Sequence, residues 1–219
     1  MGEEAPPPTR KPNGMDRRRG VCDNGRMRRL WVPLLVIAGC SVACQTATAA
    51  PSDSDENPWK ICAPAIAAAE KSAGIPRHLL LSIAMVESGR RNEERGGYHP
   101  WPWTINAGGD GRFFETKTEA VAAVRDLRES LVRNIDVGCM QVNLHYHPTA
   151  FADLEAAFDP AINAAYAARF LRSLFGDTGS WLHAVARYHS SIYRNNRQYM
   201  IRVMKVWRRM GGGGRRARS

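Results

Sequence analysis

Residues 77–89 read RHLLLSIAMVESG. Leu79, Leu80, Ile83, Ala84 and Val86 recur at helical spacing, which predicts a helix starting near Arg77. The residues from Leu79 to Val86 are nearly all apolar or small, so this helix belongs inside a core. A carboxylic acid, Glu87, arrives at its end, followed by Ser88 and Gly89. Poor hydration there would disfavour the charged form of Glu87 and raise its pKa. An acid still protonated near neutral pH can deliver a proton to a departing oxygen. The other reading is a helix-end glutamate turned to solvent, and on spacing alone that is the commoner case.

On the N-terminal side, a helix is predicted from about Pro64 to Ala73, with proline early and Gly74 just past its end. Residues 50–60, polar and acidic between Pro51 and Asn57, read as a linker. On the C-terminal side, residues 89–115 turn rich in Gly, Arg, Asn and aromatics. Two short strands are predicted there, Trp103–Ala107 and Gly111–Phe114, around a Gly-Gly-Asp-Gly turn. Thr116 to Glu119 has capping-box spacing, and the helix it opens carries Ala120, Val121, Val124, Leu127 and Leu131 on one side. Asp136–Asn143 (DVGCMQVN) reads as a short buried segment. Asp159-Pro160 opens a helix to about residue 175 that presents Ile162, Tyr166, Phe170, Leu171 and Leu174, with Gly176 as its stop. A helix after Ser180 carries Trp181, Ala184, Val185 and Tyr188. A last one, about 196–208, turns Tyr199, Met200, Val203 and Trp207 inward. The expected fold class is mainly α within an α+β plan: one helical domain over 61–208 with a small β-hairpin insertion, then a disordered basic tail over 209–219.

The 219 residues suffice for one domain with tails. With 44% hydrophobic and 24% charged residues, the composition is that of a soluble globular protein. Past residue 49, no stretch reaches the roughly 20 apolar residues of a membrane-spanning helix. The net charge of +10 invites a nucleic-acid reading, but its location argues against one. Of 31 basic residues, 8 lie in 1–49 and five are Arg208, Arg209, Arg215, Arg216 and Arg218; of 21 acidic residues, 4 lie in 1–49. Ala50 to Trp207 therefore holds 18 basic against 17 acidic residues. A nucleic-acid footprint would be a basic patch on the folded domain, so no nucleic-acid partner is expected. The basic ends suit an anionic wall or membrane surface equally well.

Residues 26–49, RMRRLWVPLLVIAGCSVACQTATA, have the three parts of a secretory signal. Arg26, Arg28 and Arg29 are the positive part, Leu30 to Ala38 the apolar core, and Ala47-Thr48-Ala49 the small-x-small cleavage pattern. Residues 1–49 are read as leader and signal peptide, with Met27 an alternative start. Ile37-Ala38-Gly39-Cys40 resembles a lipobox, so in a second reading Cys40 is lipidated and anchors the protein in the outer membrane. Both readings place it outside the cytoplasm, in the periplasm. Of five cysteines, only Cys62 and Cys139 fall in the predicted domain. In an oxidising compartment they form either one disulfide or two buried free thiols. The bond would close a loop of roughly 75 residues and contribute about 3–4 kcal/mol on the chain-entropy model. No Cys-x-x-Cys or His-x-x-x-His spacing occurs, so neither a metal nor a cofactor is expected.

Three further segments carry a resemblance when taken together. Val86-Glu87-Ser88-Gly89, then Gly138-Cys139-Met140-Gln141-Val142-Asn143, then Ala184-x-x-Arg187-Tyr188-His189-Ser190 resemble, in that order, the Glu-Ser, Gly-Leu-Met-Gln and Ala-Tyr-Asn motifs of soluble-type (SLT) lytic transglycosylases. The resemblance runs from about Cys62 to Tyr199. It implies a lysozyme-like fold and cleavage of the peptidoglycan β-1,4 bond between N-acetylmuramic acid and N-acetylglucosamine, leaving 1,6-anhydromuramoyl ends. It also implies that Glu87 is the acid that protonates the glycosidic oxygen and then the base for the muramoyl 6-hydroxyl. One carboxylate then suffices, where ordinary glycosidases need two flanking the bond. The substrate's own acetamido group is the implied helper for the ring's positive charge.

The same resemblance puts Tyr188 beside Glu87 as an orienting hydroxyl, unless it is plain core. It makes Gln141 a hydrogen-bonding partner of an N-acetyl group, unless it is a solvated turn residue. Asn143 and His189 are counted with the substrate groove, Gly138 permits close backbone approach, and Met140 is packing. Cys139 stands where the family has Leu, which suits a tether to Cys62, and His189 stands where Asn is common. The long insertion between Glu87 and Gly138 does not align residue by residue. Within it, Trp101 and Trp103 either stack on sugar faces or plug a hydrophobic gap. Trp101-Pro102-Trp103-Thr104 and Tyr188-His189-Ser190 resemble the branch near secretion-associated members. The expected partners are thus the glycan strands of peptidoglycan and, as a candidate, a cell-envelope secretion or assembly complex, for a monomeric protein.

Two alternatives stand beside this. A hydrolytic muramidase of the goose-lysozyme type would need a water-activating carboxylate, for which Asp136 and Asp110 are the candidates, although Asp136 reads first as a cap on the Gly138 segment. A non-catalytic peptidoglycan-binding module would keep the fold, but Glu87, Gln141 and Tyr188 together speak against it. Glu93 and Glu94 among Arg90, Arg91 and Arg95 read as a solvated loop, and His145, His147 and His183 form no ligand pattern.

Overall fold

In the computed structural model, residues 57–94, 96–189 and 193–212 are described. The expected signal peptide, Cys40 and the end of the basic tail lie outside them. Helix α1 (Pro58–Ala73) begins before the expected Pro64. Asn57 accepts the Trp59 N–H at 3.0 Å, and Pro58 takes the first helical turn. That pair opens the helix inside the predicted linker, and Pro64 sits within it. Helix α2 (Leu79–Glu87) buries Leu79, Leu80, Ser82, Ile83 and Ala84. Its N-cap, His78, is left-handed (φ 66°) and gives no side-chain cap. Glu70 of α1 takes over: its buried carboxyl accepts the Leu80 N–H at 2.8 Å. The helix that presents Glu87 is therefore capped by another helix.

Two short strands come next, β1 (Gly89–Arg91) and β2 (Tyr98–Pro100), paired antiparallel. The predicted hairpin is β3 (Thr104–Ala107) with β4 (Asp110–Phe113), turning at Gly108-Gly109. Strands β5 (Ile135–Val137) and β6 (Val142–Asn143), within the expected buried segment, extend it to a four-stranded sheet of order β4-β3-β5-β6. Helix α3 (Lys117–Glu129) starts with the complete Thr116–Glu119 capping box. Leu131 departs from expectation: the helix ends at Glu129 with Ser130 as its cap, and Leu131 is left-handed and 77% exposed. A single turn, α4 (Leu154–Ala157), precedes α5 (Pro160–Thr178), which Asp159 caps through the Ile162 N–H at 2.8 Å. Helix α5 passes through Gly176 and ends at Gly179, and Ile162 faces solvent rather than the core. Helices α6 (Trp181–His189) and α7 (Tyr193–Arg209) follow. The fold is mainly helical α+β, as expected. No helix among the described residues is long and apolar enough to cross a membrane.

Burial divides into two cores. One is helical: α1 packs on α5, α2 on α7, and α6 on both α5 and α7, around Ile66, Leu80, Ile83, Leu171, Val185 and Val203. The other lies between the sheet, α3 and α4, around Trp101, Ile105, Val124, Ile135 and Phe158. Cys62 and Cys139 are bonded (Cα–Cα 5.9 Å) and tie α1 to the turn between β5 and β6. That turn sits against the end of α2.

Because Glu70 satisfies donors at the start of α2, Glu70→Ala should lower stability by about 2 kcal/mol in urea denaturation. Glu70→Gln, which keeps an acceptor, should cost less than half as much.

Candidate active site

Glu87 is the last residue of α2, and the two residues after it fix where its side chain lies. The buried Ser88 hydroxyl donates to the Cys139 carbonyl at 2.6 Å and approaches that of Ala84 at 3.2 Å. It fastens the end of α2 to the β5–β6 turn. A Cβ on Gly89 would stand 2.3 Å from the Met85 carbonyl oxygen, so only glycine lets the chain leave the helix here. Both residues of the Ser-Gly pair are scaffold.

The β5–β6 turn is held from the other side by Asn163 of α5, a fully buried residue that no sequence pattern singles out. Its Oδ1 accepts the Met140 N–H at 2.9 Å, and its Nδ2 donates to the carbonyls of Val137 (3.1 Å) and Ala157 (2.9 Å). Gly138 (φ 79°) lies so close that a Cβ would fall 2.6 Å from Asn163 Nδ2. Its expected role, close approach, is met by a side-chain amide of the protein itself. Gln141 is also left-handed (φ 48°); its Nε2 donates to the carbonyls of Thr104 (3.2 Å) and Gly138 (3.1 Å), which leaves Oε1 as the end able to face a ligand.

Glu87 as a residue is only partly exposed, and burial of its carboxyl pushes the pKa up to about 7. Burial is the largest cause, and the charge of Asp136 adds to it. The Tyr199 hydroxyl and the Arg202 guanidinium pull the other way. The Tyr199 hydroxyl is buried and makes no hydrogen bond of good geometry, but it faces Glu87 closely enough to act as a weak donor. Tyr188, expected beside Glu87, donates instead to the Met140 carbonyl at 3.0 Å. Burial, followed by the charges of Glu87 and Asp136, holds its phenol well above the usual range. His189 stacks on Tyr199, with ring centroids 4.6 Å apart and planes 11° apart. Burial and then Arg202 lower its pKa, against Asp136.

Helices α2, α6 and α7 and strand β5 thus bring Glu87, Tyr188, His189, Tyr199, Arg202 and Asp136 together. The sequence pattern assigns Tyr199 to the core and gives Arg202 no role. Their i, i+3 spacing puts them on one face of α7, but only packing aims that face at Glu87. Asn143 serves the turn. Its Oδ1 accepts the N–H groups of His145 (2.9 Å) and Tyr146 (3.0 Å), and its Nδ2 donates to Asp136 (2.7 Å) and Asn134 (2.6 Å). Trp101 and Trp103 are 1% and 5% exposed, so in this structure neither offers a face to a sugar. They fill the second core edge to edge, and Arg90 lies over the Trp101 ring at 4.3 Å. Asp110 is at the hairpin end, ion-paired with Arg112, away from this cluster.

A family model described as "Transglycosylase SLT domain" matches residues 64–202, a span that contains every residue of the cluster. No curated protein and no solved structure matches the chain.

The Glu87 carboxyl has a direct consequence for stability. Its folded pKa of about 7 lies above the ordinary 4.5, so folding favours the protonated form. That contribution is complete below about pH 4.5 and is lost as pH rises through 7. The total is on the order of 2–3 kcal/mol, allowing for partial exposure. Glu87→Gln is neutral at every pH. In urea denaturation it should match the native protein at pH 4.5 and exceed it in stability at pH 8.

Proposed function

The chain belongs to the transglycosylase SLT domain family, and from that membership we propose that it is a lytic transglycosylase with Glu87 as its acid and base. The family brings peptidoglycan as the substrate class, a polymer found outside the cytoplasm. The proposed reaction cuts the β-1,4 bond between N-acetylmuramic acid and N-acetylglucosamine and closes a 1,6-anhydro ring. One observation carries the reading: a carboxyl at the end of a buried helix, on a partly exposed residue, with a pKa raised to about 7. Near neutral pH much of it holds a proton, the condition a general acid needs.

Glu87 gives that proton to the glycosidic oxygen. The bond from this oxygen to the muramoyl anomeric carbon breaks, its electron pair leaves with the N-acetylglucosamine, and the muramoyl ring becomes positive. The 6-hydroxyl of the same sugar attacks the anomeric carbon and passes its proton to the Glu87 carboxylate. Glu87 ends as it began, and no water is consumed. Between the two transfers the carboxylate is ionised, and Tyr199 and Arg202 favour that form. Attack from within one sugar has the high effective concentration of a tethered nucleophile. Gln141 Oε1 remains the proposed contact for an N-acetyl group.

A second reading is favoured by one feature: the charge of Asp136 acts on Glu87, so another carboxylate is near. Were Asp136 to activate water, the protein would be a muramidase and the products would carry reducing ends.

Digestion of purified sacculi followed by mass spectrometry separates the two. Anhydromuramoyl ends are expected, and reducing ends throughout would overturn the transglycosylase reading. Glu87→Gln should cut the rate by about 10²–10⁴-fold. Above pH 7 the native rate should fall about tenfold per unit as the acid ionises.

A further inference from the structure

Three adjacent strands set three polar side chains in one row. In the sheet register Asn106 of β3 is opposite Asp136 of β5, and Asp136 is opposite Asn143 of β6. Paired residues on neighbouring strands share a face. Asn106 Nδ2 donates to Asp136 Oδ2 at 3.1 Å, and Asn143 Nδ2 donates to Oδ1 at 2.7 Å. Asn143 is itself fixed by the His145 and Tyr146 N–H groups. Each carboxylate oxygen is therefore held by a neutral amide, and no ion pair to Asp136 occurs among the described residues. A cap would spend these oxygens on backbone N–H groups of the Gly138 turn; here the partners are side-chain amides, which orient the charge without cancelling it.

The same carboxylate acts on the groups around it. It raises the pKa of Glu87 and Tyr188 and opposes the lowering of His189. The charged and titratable groups facing this pair are Tyr188 and His189 from α6, and Tyr199 and Arg202 from α7.

We propose that Asp136 is a second working carboxylate of the site, an anion clamped by Asn106 and Asn143 beside Glu87, set to face the muramoyl ring as its anomeric carbon turns positive. This rests on the reading of Glu87 as the acid. A fixed charge in a partly dry site offsets a developing charge without having to reorganise. The step adds no bond, proton or water to the reaction, and the 6-hydroxyl remains the nucleophile.

Asp136→Asn keeps size and shape while removing the charge. On sacculi, kcat should fall about 100-fold with KM little changed, and the products should still end in anhydro sugars. In carbon-13 NMR of glutamate-labelled protein without substrate, the Glu87 titration should move to lower pH, as loss of a neighbouring negative charge requires; a purely structural role would leave kcat unchanged in a folded variant. Asn106→Ala keeps the charge but loosens its clamp, and should lower kcat about tenfold while the titration stays near its native position. A wild-type kcat or an unmoved titration in Asp136→Asn overturns the inference, and should that variant not fold, an unchanged kcat in Asn106→Ala does so. Native products with reducing ends that vanish in Asp136→Asn would assign Asp136 to a water and overturn the role as well. Cleavage surviving in Glu87→Gln would sink the function reading instead, while the titration still decides whether Asp136 and Glu87 are coupled.

Discussion

The site depends on one hydrogen bond: the Ser88 hydroxyl donating to the Cys139 carbonyl at 2.6 Å. It is buried, and it joins the end of a helix to a turn more than fifty residues later in the chain. A buried hydroxyl that lost this partner would carry the full desolvation cost. The turn has no freedom to drift from it. Cys139 is bonded to Cys62 in α1, Asn163 of α5 brackets the same turn with two hydrogen bonds, and Gly138 is pressed against Asn163 too tightly for any side chain. Three helices and a sheet therefore converge on about four residues of backbone. Glu87 inherits its position from that convergence.

A carboxyl so placed sits between opposed influences. Burial and the Asp136 charge push it toward its protonated form, while Tyr199 and Arg202 favour the ionised one. The result near 7 allows a group to give and take back a proton in one cycle. Such a placement destabilises the fold whenever the carboxyl ionises, and the two well-packed cores on either side supply the rigidity to tolerate it. The neighbouring phenols stay neutral for the same reason: burial and nearby negative charge both oppose their ionisation.

Much of what the family motifs contain is scaffold. Ser88, Gly89, Gly138, Met140 and Asn143 hold backbone or other side chains, and the hydroxyl of Tyr188 is spent on the Met140 carbonyl. This explains how a short pattern can mark a reaction: the pattern records the geometry that presents Glu87. The long segment between Glu87 and Gly138 obeys the same logic. Its tryptophans, with Trp59 and Arg90, build the second core rather than a binding surface.

The sequence by itself determined the local elements. Apolar residues at helical spacing marked α2, α5 and α6, the Thr116–Glu119 capping box marked α3, and the paired glycines placed the β3–β4 turn. Each of those signals is carried by residues within a few positions of one another, and backbone hydrogen bonding responds to such neighbours directly. The bounds read from Pro64 and Gly176 fell short of the helices that form: α1 opens at Pro58 behind the Asn57 cap, and α5 runs on to its left-handed cap, Gly179. Only the tertiary structure decided the rest: that Glu70 caps α2, that Asn163 clamps the turn, that Tyr199 joins Tyr188 near Glu87, and that Trp101 and Trp103 are interior. These are contacts between residues far apart in the chain. Helical periodicity says which face of a helix is buried, but the crossing of two helices decides which buried side chain meets which, and that crossing is set by the packing of the whole core.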